Sequence, residues 1–138
     1  MKYDKKQALN TIVSTAKHYD RKLRDKHFLI LFRRENEMDS VQVGFRSNHF
    51  LHMTGVETKL TAKRFYERCM KGRLSISDFE LDTKGRSQRK LEVLSYVPKL
   101  LYNPCMIGDF IKSGIYIRAD YFVGNTKAVV SVGFRFGK

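Results

Sequence analysis

Apolar residues near the start of the chain recur at helical spacing. They repeat every three to four residues, which places them on one face of an α-helix. These positions are Ala8, Ile12, Ala16, Tyr19 and Leu23. Asp4 precedes the pattern, and its carboxylate can cap the helix by accepting from free N–H groups. The other face is basic and is predicted to be solvated or to contact nucleic acid. Its residues are Lys5, Lys6, Lys17, Arg21, Lys22 and Arg24.

A β-hairpin is predicted next. HFLILFRR (27–34) is short, apolar and β-prone, and VQVGFR (41–46) alternates apolar and polar positions. The polar run ENEMD between them gives a loop of five residues, a common hairpin length.

The middle of the chain predicts short helices between irregular stretches. SNHFLHMTGVETK (47–59) is interpreted as irregular. Thr61 can cap a helix over AKRFYERCMK, which Gly72 would end. SISDFE predicts a further helical turn capped by Ser75 or Ser77, and TKGRSQRK (83–90) a basic loop.

The region after this loop predicts one more helix and then strands. In RKLEVLSYV, Leu91, Leu94 and Val97 repeat at helical spacing, with Pro98 interrupting near the end. CMIGDFI, IYIRADYFV and KAVVSVGFRF predict strands, with turns at KSG and GNT. The order predicts an α+β domain over residues 1–138. An N-terminal helix and short helices would pack on an antiparallel sheet of about five strands.

Length and charge restrict the class of protein. The chain has 138 residues, enough for one domain. Lys plus Arg number 27 and Asp plus Glu 14, which gives a net charge of +13. Such a basic surface attracts polyanions. We expect nucleic acid as the partner before an acidic protein, and a membrane surface last, because no helix pairs a basic face with a strongly apolar one.

Several classes are disfavoured by what the sequence lacks. No apolar run has the length of a membrane span, and the first ten residues have no signal-peptide core. Cys69 and Cys105 lie far apart and outside any metal-ligand spacing. This pattern argues against a disulfide scaffold and is typical of a reducing cytoplasm. His49 and His52 lack the spacing of a zinc-protease motif, and we expect neither metal nor other cofactor.

The remaining polar residues suit one reaction. There is no P-loop, no dinucleotide-binding glycine motif and no nucleophile elbow, and carboxylates are sparse. Basic residues with histidine suit metal-independent RNA cleavage. In that reaction a base removes the 2′-OH proton, cations stabilise the phosphorane and an acid protonates the 5′-oxygen.

The strongest constellation lies in FRSNHFLHMTGV (45–56). Arg46 leaves the end of a predicted strand, and His49 and His52 follow it. Histidine titrates near neutral pH, so either ring could act as base or acid. Thr54 could donate a hydrogen bond to a phosphate. The alternative is that one histidine is structural while the apolar residues beside it fill the core.

A second constellation lies in RADYFVGNTK (118–127). Gly124 permits a tight turn whose N–H groups could face a phosphate. Arg118, Asn125 and Lys127 add cations and an amide, although an ordinary hairpin turn with a basic flank explains the same residues. Asp109 could orient a histidine or arginine, or form an ordinary salt bridge at a strand edge.

Together these blocks resemble a known family. FRSNHFLHMTGV, LTAKRFYERCMKGRLSISDF, KLEVL, MIGDF and ADYFVGNTKA are similar, in order and spacing, to the phage-associated barnase–EndoU–colicin–RelE-like nucleases, fourth group. The similarity runs from about residue 23 to 134. It implies a helix-plus-antiparallel-sheet, RNase-like fold encoded by phages or other mobile elements. It also implies a metal-independent ribonuclease that acts as a toxin or in phage–host conflict.

The resemblance also implies site residues. The family's FR-x-x-NFLHLTG element falls on Phe45 to Gly55, with His49 where asparagine is usual. Its VGN-x-K element falls on Val123 to Lys127. In the MIGDY-like element Phe110 replaces tyrosine, which removes a phenol hydroxyl. The catalytic set is then His52, Arg46, Thr54 and Lys127. The predicted RNA contacts combine His49 and Asn125 of these elements with residues chosen on charge alone: Arg118 of the second constellation, and Lys84, Arg86, Arg89 and Lys90 of the TKGRSQRK segment.

Two other functions stay open from the sequence. The fold could serve a phage-encoded inhibitor that binds a host or antiviral-defence protein or ribonucleoprotein without catalysis. It could also be a plain RNA- or DNA-binding module. Both differ from the enzyme in predicting binding without turnover.

Overall fold

A computed structural model describes residues 3–34, 37–102, 105–109, 121–125 and 131–134. The chain divides into two compact units, and each is described by itself. Unit 1 comprises Met1–His27 with Gly44–Pro98, and unit 2 comprises Phe28–Val43 with Lys99–Lys138. No helix in the described ranges combines the length and the apolar character that crossing a bilayer requires. The fold is α+β, as predicted.

The first helix confirms the prediction made from the spacing of apolar residues. Helix α1 spans Lys5–Lys22, and all five predicted apolar positions are fully buried. The Asp4 carboxylate accepts from the Gln7 N–H at 2.7 Å, and the Gln7 side chain accepts from the Asp4 N–H at 3.0 Å. This reciprocal capping satisfies N–H groups that the helix cannot satisfy itself.

The other helices of unit 1 are short. They are α2 (Phe50–Thr54), α3 (Ala62–Lys71) and α4 (Arg86–Leu94), with 3-10 turns at Ser47–His49, Ile76–Asp78 and Val97–Tyr102. Thr61 caps α3 by accepting from the Arg64 N–H at 3.2 Å, and Gly72 ends it in the left-handed conformation. Both residues were predicted in these roles. The last 3-10 turn contains Pro98 and continues into unit 2.

Two segments of unit 1 differ from the prediction. Residues 47–58 are not irregular: they form a 3-10 turn, α2 and strand β3 (Glu57–Thr58). Strand β3 pairs antiparallel with β4 (Phe79–Glu80). The predicted basic loop ends early, because α4 begins at Arg86. Leu91 and Leu94 lie further along α4 and are buried in the core. Their packing stabilises the helix, including its charged first turn.

An aromatic cluster forms the centre of the unit 1 core. The Tyr19 ring lies 6.1 Å from Phe45, 5.2 Å from Phe50 and 5.9 Å from Tyr66, measured between ring centroids. Three of these rings are at most 3% exposed, and Tyr66 is 4% exposed. Such ring pairs contribute about 0.5–1.5 kcal/mol each beyond the area they bury. The cluster therefore fixes α1, α2 and α3 around Phe45, which follows the strand Glu37–Gly44.

Unit 2 contains the longer strands. Strands β1 (His27–Arg34) and β2 (Glu37–Gly44) pair in a two-stranded sheet. The first residue of β1, His27, and the last residue of β2, Gly44, are assigned to unit 1. Because β2 begins at Glu37, the predicted five-residue loop is too long. Strands β5 (Cys105–Asp109), β6 (Tyr121–Asn125) and β7 (Ser131–Phe134) form a three-stranded antiparallel sheet.

The predicted single sheet of about five strands is wrong for the described residues. Their strands form sheets of two, two and three members instead. Alternation of apolar and polar residues identifies a strand. It does not identify the strand with which it pairs, because tertiary contacts decide the pairing. The predicted KSG turn and most of IYIRADYFV lie outside the described residues.

Candidate functional site

The two predicted histidines lie on one short segment of unit 1. This histidine segment comprises residues 46–55: the turn Ser47–His49, helix α2 and a residue at each end. It packs against α3 and α4. Arg46 and Gly55 mark its ends, and a different part of the unit holds each of them.

The Arg46 end is attached to the aromatic cluster. The buried Tyr19 hydroxyl donates to the Arg46 carbonyl at 2.7 Å. Burial, with the nearby Asp25 charge, raises the pKa of Tyr19, so the hydroxyl remains a donor at neutral pH. The Arg46 residue is exposed, and its guanidinium has no acidic partner among the described residues. Arg46 thus has a fixed backbone and a cation available to an anion.

His49 is oriented by the start of the same segment. The Arg46 N–H donates to His49 Nδ1 at 3.2 Å, which places the proton of the neutral ring on Nε2. Partial burial, and then the Arg46 charge, lower the pKa of His49. The ring is therefore neutral at pH 7 and offers an N–H donor, while its lone pair is already engaged.

His52 differs from His49 in that its ring is free. Among the residues that the structure describes, neither ring nitrogen has a hydrogen-bond partner, and the residue is exposed. The Lys90 ammonium donates to the His52 carbonyl at 2.9 Å. The Lys90 charge, followed by partial burial, lowers the pKa of His52. At neutral pH His52 is thus a neutral imidazole with an available lone pair, which is what a general base requires.

Thr54 has a local role in the structure. It is fully buried, and its hydroxyl donates to the Leu51 carbonyl at 2.7 Å while accepting from the Val56 N–H at 3.3 Å. The hydroxyl proton is therefore committed to the end of α2. This geometry differs from the exposed phosphate donor that the sequence predicts.

A polar network holds the Gly55 end. Ser87, fully buried at the start of α4, donates from its hydroxyl to the Gly55 carbonyl at 2.7 Å and accepts from the Asp82 N–H at 3.0 Å. In turn Asp82 accepts from the Ser87 N–H at 2.9 Å and from Arg86 at 2.9 Å. These bonds lower the pKa of Asp82, chiefly the one from the Ser87 N–H.

The close approach of the two backbones in this network favours glycine at position 55. Gly55 has φ of 72°, and a Cβ there would meet the Lys90 side chain at 2.9 Å and the Ser87 backbone at 3.2 Å. This close approach brings α2 against α4 and so places Lys90 beside His52. Sequence reasoning missed Asp82 and Ser87, although an aspartate just before a helical pattern is a general sign of helix capping.

The cations of the predicted basic loop lie in different environments. Lys84 and Arg89 are exposed and have no acidic partner in the described ranges. Arg86 is committed to Asp82, and Lys90 is half-buried against His52. Partial burial and the charge of Arg86 lower the pKa of Lys90. Three of these cations, Arg86, Arg89 and Lys90, occupy α4 rather than a loop.

The second predicted constellation is described only in part. Gly124 and Asn125 lie within β6, paired with Met106 and Cys105 of β5, so the predicted turn does not begin at Gly124. Arg118 and Lys127 lie outside the described residues. The pairing of β5 also places Asp109 opposite Tyr121. In the part of the chain that the structure describes, no three His, Cys, Asp or Glu residues form a group that could hold a metal ion.

Comparison with known proteins gives one match. A family model described as phage-Barnase-EndoU-ColicinE5/D-RelE like nuclease4 matches residues 11–138. No curated protein and no solved structure matches the chain significantly.

Proposed function

Since the chain belongs to the phage-Barnase-EndoU-ColicinE5/D-RelE like nuclease4 family, we propose that it cleaves RNA without a metal ion. The observation that carries the proposal is the environment of His52. Its ring is neutral, exposed and free in the described structure, and the Lys90 ammonium lies close to it; Arg46 begins the same histidine segment and carries a second cation. A nuclease of this kind needs a base and positive charge at the same phosphate.

His52 is the proposed base. It takes the proton of a 2′-OH, the 2′-oxygen attacks the adjacent phosphorus and the bond to the 5′-oxygen breaks. The imidazolium formed at His52 then returns the proton, through water, to the 5′-oxygen. The products are a 2′,3′-cyclic phosphate and a 5′-OH, and His52 is neutral again.

The other residues bind or position in this proposal. Arg46 and the Nε2–H of His49 contact the phosphate that is attacked, and Thr54 fixes the end of α2 that carries His52. Contacts along the RNA come from a larger set of cations and polar groups. This set is Lys84, Arg86, Arg89 and Lys90 on unit 1, with Arg118 from the sequence pattern and Asn125 and Lys127 as the resemblance implies.

The first prediction tests the base. A labelled RNA is incubated with the full chain in EDTA, and the ends of the products are identified. We expect His52→Ala to lower the cleavage rate by about 10²–10⁴-fold, the usual contribution of a general base. His18→Ala is the matched control, because His18 is exposed on α1 and bonds to Arg21 instead.

Two results would contradict the proposal. One is full activity of His52→Ala, and the other is product without a cyclic phosphate. A chain that turns over no RNA but captures a host or defence protein in stoichiometric amount, even as His52→Ala, would be the inhibitor that the sequence also permits. RNA binding without either result would indicate a plain binding module.

A further inference from the structure

Helix α3 separates its residues into an apolar and a charged face. Phe65, Tyr66 and Cys69 are buried in the core. The charged residues recur on the opposite side at spacings of three and four, as neighbours on one helical face do. They are Arg64, Glu67, Arg68 and Lys71. None of these side chains belongs to the histidine segment or to the predicted RNA contacts.

These residues line a groove together with Arg73. Gly72 turns the chain at the end of α3 with φ of 68°, and Arg73 follows it. The resulting cavity, here named the α3 groove, has a volume of about 310 Å³. Its lining residues are Arg64, Glu67, Arg68, Lys71 and Arg73.

The charges of the α3 groove are mostly uncompensated. Arg68 lies 3.5 Å from Asp78, a loose ion pair. In the described part of the protein, Arg64, Lys71 and Arg73 have no acidic partner within ion-pair distance. Glu67 is the acidic member of the lining. The groove therefore has a net positive charge, and its free cations lie at the surface, where an anion can reach them.

We propose that the α3 groove binds the phosphate backbone of RNA at nucleotides beyond the one that is cleaved. This inference rests on the proposed function for the identity of the polyanion. From Arg64 to Lys71 the helix rises by ~10 Å, which exceeds the axial rise of about 3.4 Å between phosphates on one strand of B-DNA. The groove is thus long enough to contact more than one phosphate. Three of its four cations are arginines, whose planar forks fit phosphate oxygens.

Glu67 gives the proposal a sharper consequence. Its carboxylate lies among the cations that would hold phosphates, so it opposes binding of any polyanion in the groove. Its removal should strengthen binding most if the RNA occupies this groove, because at about 0.15 M salt screening confines most of the effect of one charge to about 8 Å. RNA bound elsewhere on the surface should show a smaller gain.

The test uses 2′-O-methyl RNA, which cannot be cleaved through its 2′-oxygen, so that binding is measured apart from catalysis. Fluorescence anisotropy over a range of salt concentrations gives the affinity and its salt slope. We expect Arg64→Gln and Arg73→Gln each to weaken binding and to lower the slope by about 0.7. We expect Glu67→Gln to tighten binding. Lys63→Gln is the control, because Lys63 is exposed on α3 but does not line the groove.

The outcomes separate this inference from the proposed function. Groove variants that bind like the parent chain, or a Lys63→Gln effect of equal size, would overturn the inference. So would competition by polyglutamate as effective as by RNA. Cleavage of a dinucleotide, which has no phosphate besides the one that is attacked, reports on His52 and should be unchanged in Arg64→Gln. All substituted side chains are exposed, and a thermal melt of each variant verifies its fold.

Discussion

The two ends of the histidine segment are held by different physical means. At Arg46 the attachment is an aromatic cluster, in which Tyr19 touches three rings and adds one hydrogen bond. At Gly55 it is a close backbone approach and a few hydrogen bonds around Ser87. The first end buries large apolar surface, while the second uses little area and depends on the position of each atom.

This difference separates stability from placement. The aromatic end stabilises unit 1 by burying apolar surface, so the loss of this packing should unfold the unit. The polar end sets where α2 meets α4, so its loss should move His52 relative to Lys90 at a smaller cost in stability. The predictions below test this division, starting with the largest expected effect.

Truncation at the aromatic end should be the most destabilising change. Tyr19→Ala removes a fully buried ring and should lower the free energy of unfolding by about 3–5 kcal/mol. Tyr19→Phe keeps the ring and loses only the hydrogen bond to Arg46, at about 1 kcal/mol. Urea denaturation of the full chain measures both. Equal losses would mean that the hydrogen bond, and not the packing, holds this end.

Substitution at the polar end should have the next largest effect. Gly55→Ala puts a side chain at φ of 72° and against Lys90 at 2.9 Å. The left-handed conformation costs about 1–2 kcal/mol and the overpacking about 1–3 kcal/mol more. Gly72→Ala is the matched control, because Gly72 has φ of 68° but nothing within 4 Å of the added Cβ.

The pair of glycine variants isolates the contact with α4. Both variants carry the conformational strain, and only Gly55→Ala carries the steric conflict. We expect Gly55→Ala to lower the free energy of unfolding more than Gly72→Ala and to reduce RNA cleavage. If the two variants are equally stable and equally active, the approach of α2 to α4 does not position the site.

Removal of the Lys90 charge should give the smallest and most local effect. The Lys90 ammonium is the main cause of the lowered pKa of His52. In Lys90→Met this pKa should rise toward the ordinary value of about 6.5. The acid limb of the cleavage profile should then move to higher pH, because His52 must be unprotonated to accept a proton. The His52 ring signal, followed by NMR against pH, gives the pKa directly.

The same linkage has a consequence for stability. A histidine with a lowered pKa in the folded state takes up its proton more readily when unfolded. The stability contributed by neutral His52 is present above about pH 6.5 and is lost as the pH falls through the lowered pKa. Lys90→Met should weaken this dependence, whereas Lys63→Met should not. An unchanged His52 pKa in Lys90→Met would contradict the assignment of the cause.

The helical part of the fold was predictable because local signals agree with burial. In α1 an apolar period of three to four residues coincides with a capping aspartate, and in α3 Thr61 and Gly72 mark both ends. The pairing of the strands was not predictable. Residues Glu57–Thr58 and Phe79–Glu80 are too short to show alternation, and only the folded chain brings them together.

Candidate site residues can be chosen from the sequence, but the geometry around them cannot be predicted from it. Arg46, His49 and His52 stand out because basic and titratable residues follow one another in the sequence. The commitment of Thr54 to a backbone carbonyl and the contact of Lys90 with His52 depend on packing between segments. The role of Ser87 also depends on Gly55, which lies 32 residues away. No single-segment pattern contains that relation.

The contact between the first residues of the chain and α4 has a consequence for biosynthesis. Tyr3 and Gln88 exchange two hydrogen bonds, across 85 residues of sequence. Unit 1 is also interrupted by a segment of unit 2. A ribosome must therefore release the chain through α4 before α1 can find this partner. Folding of this unit should accordingly be completed only after Gln88 is released, because contacts so distant along the chain form late.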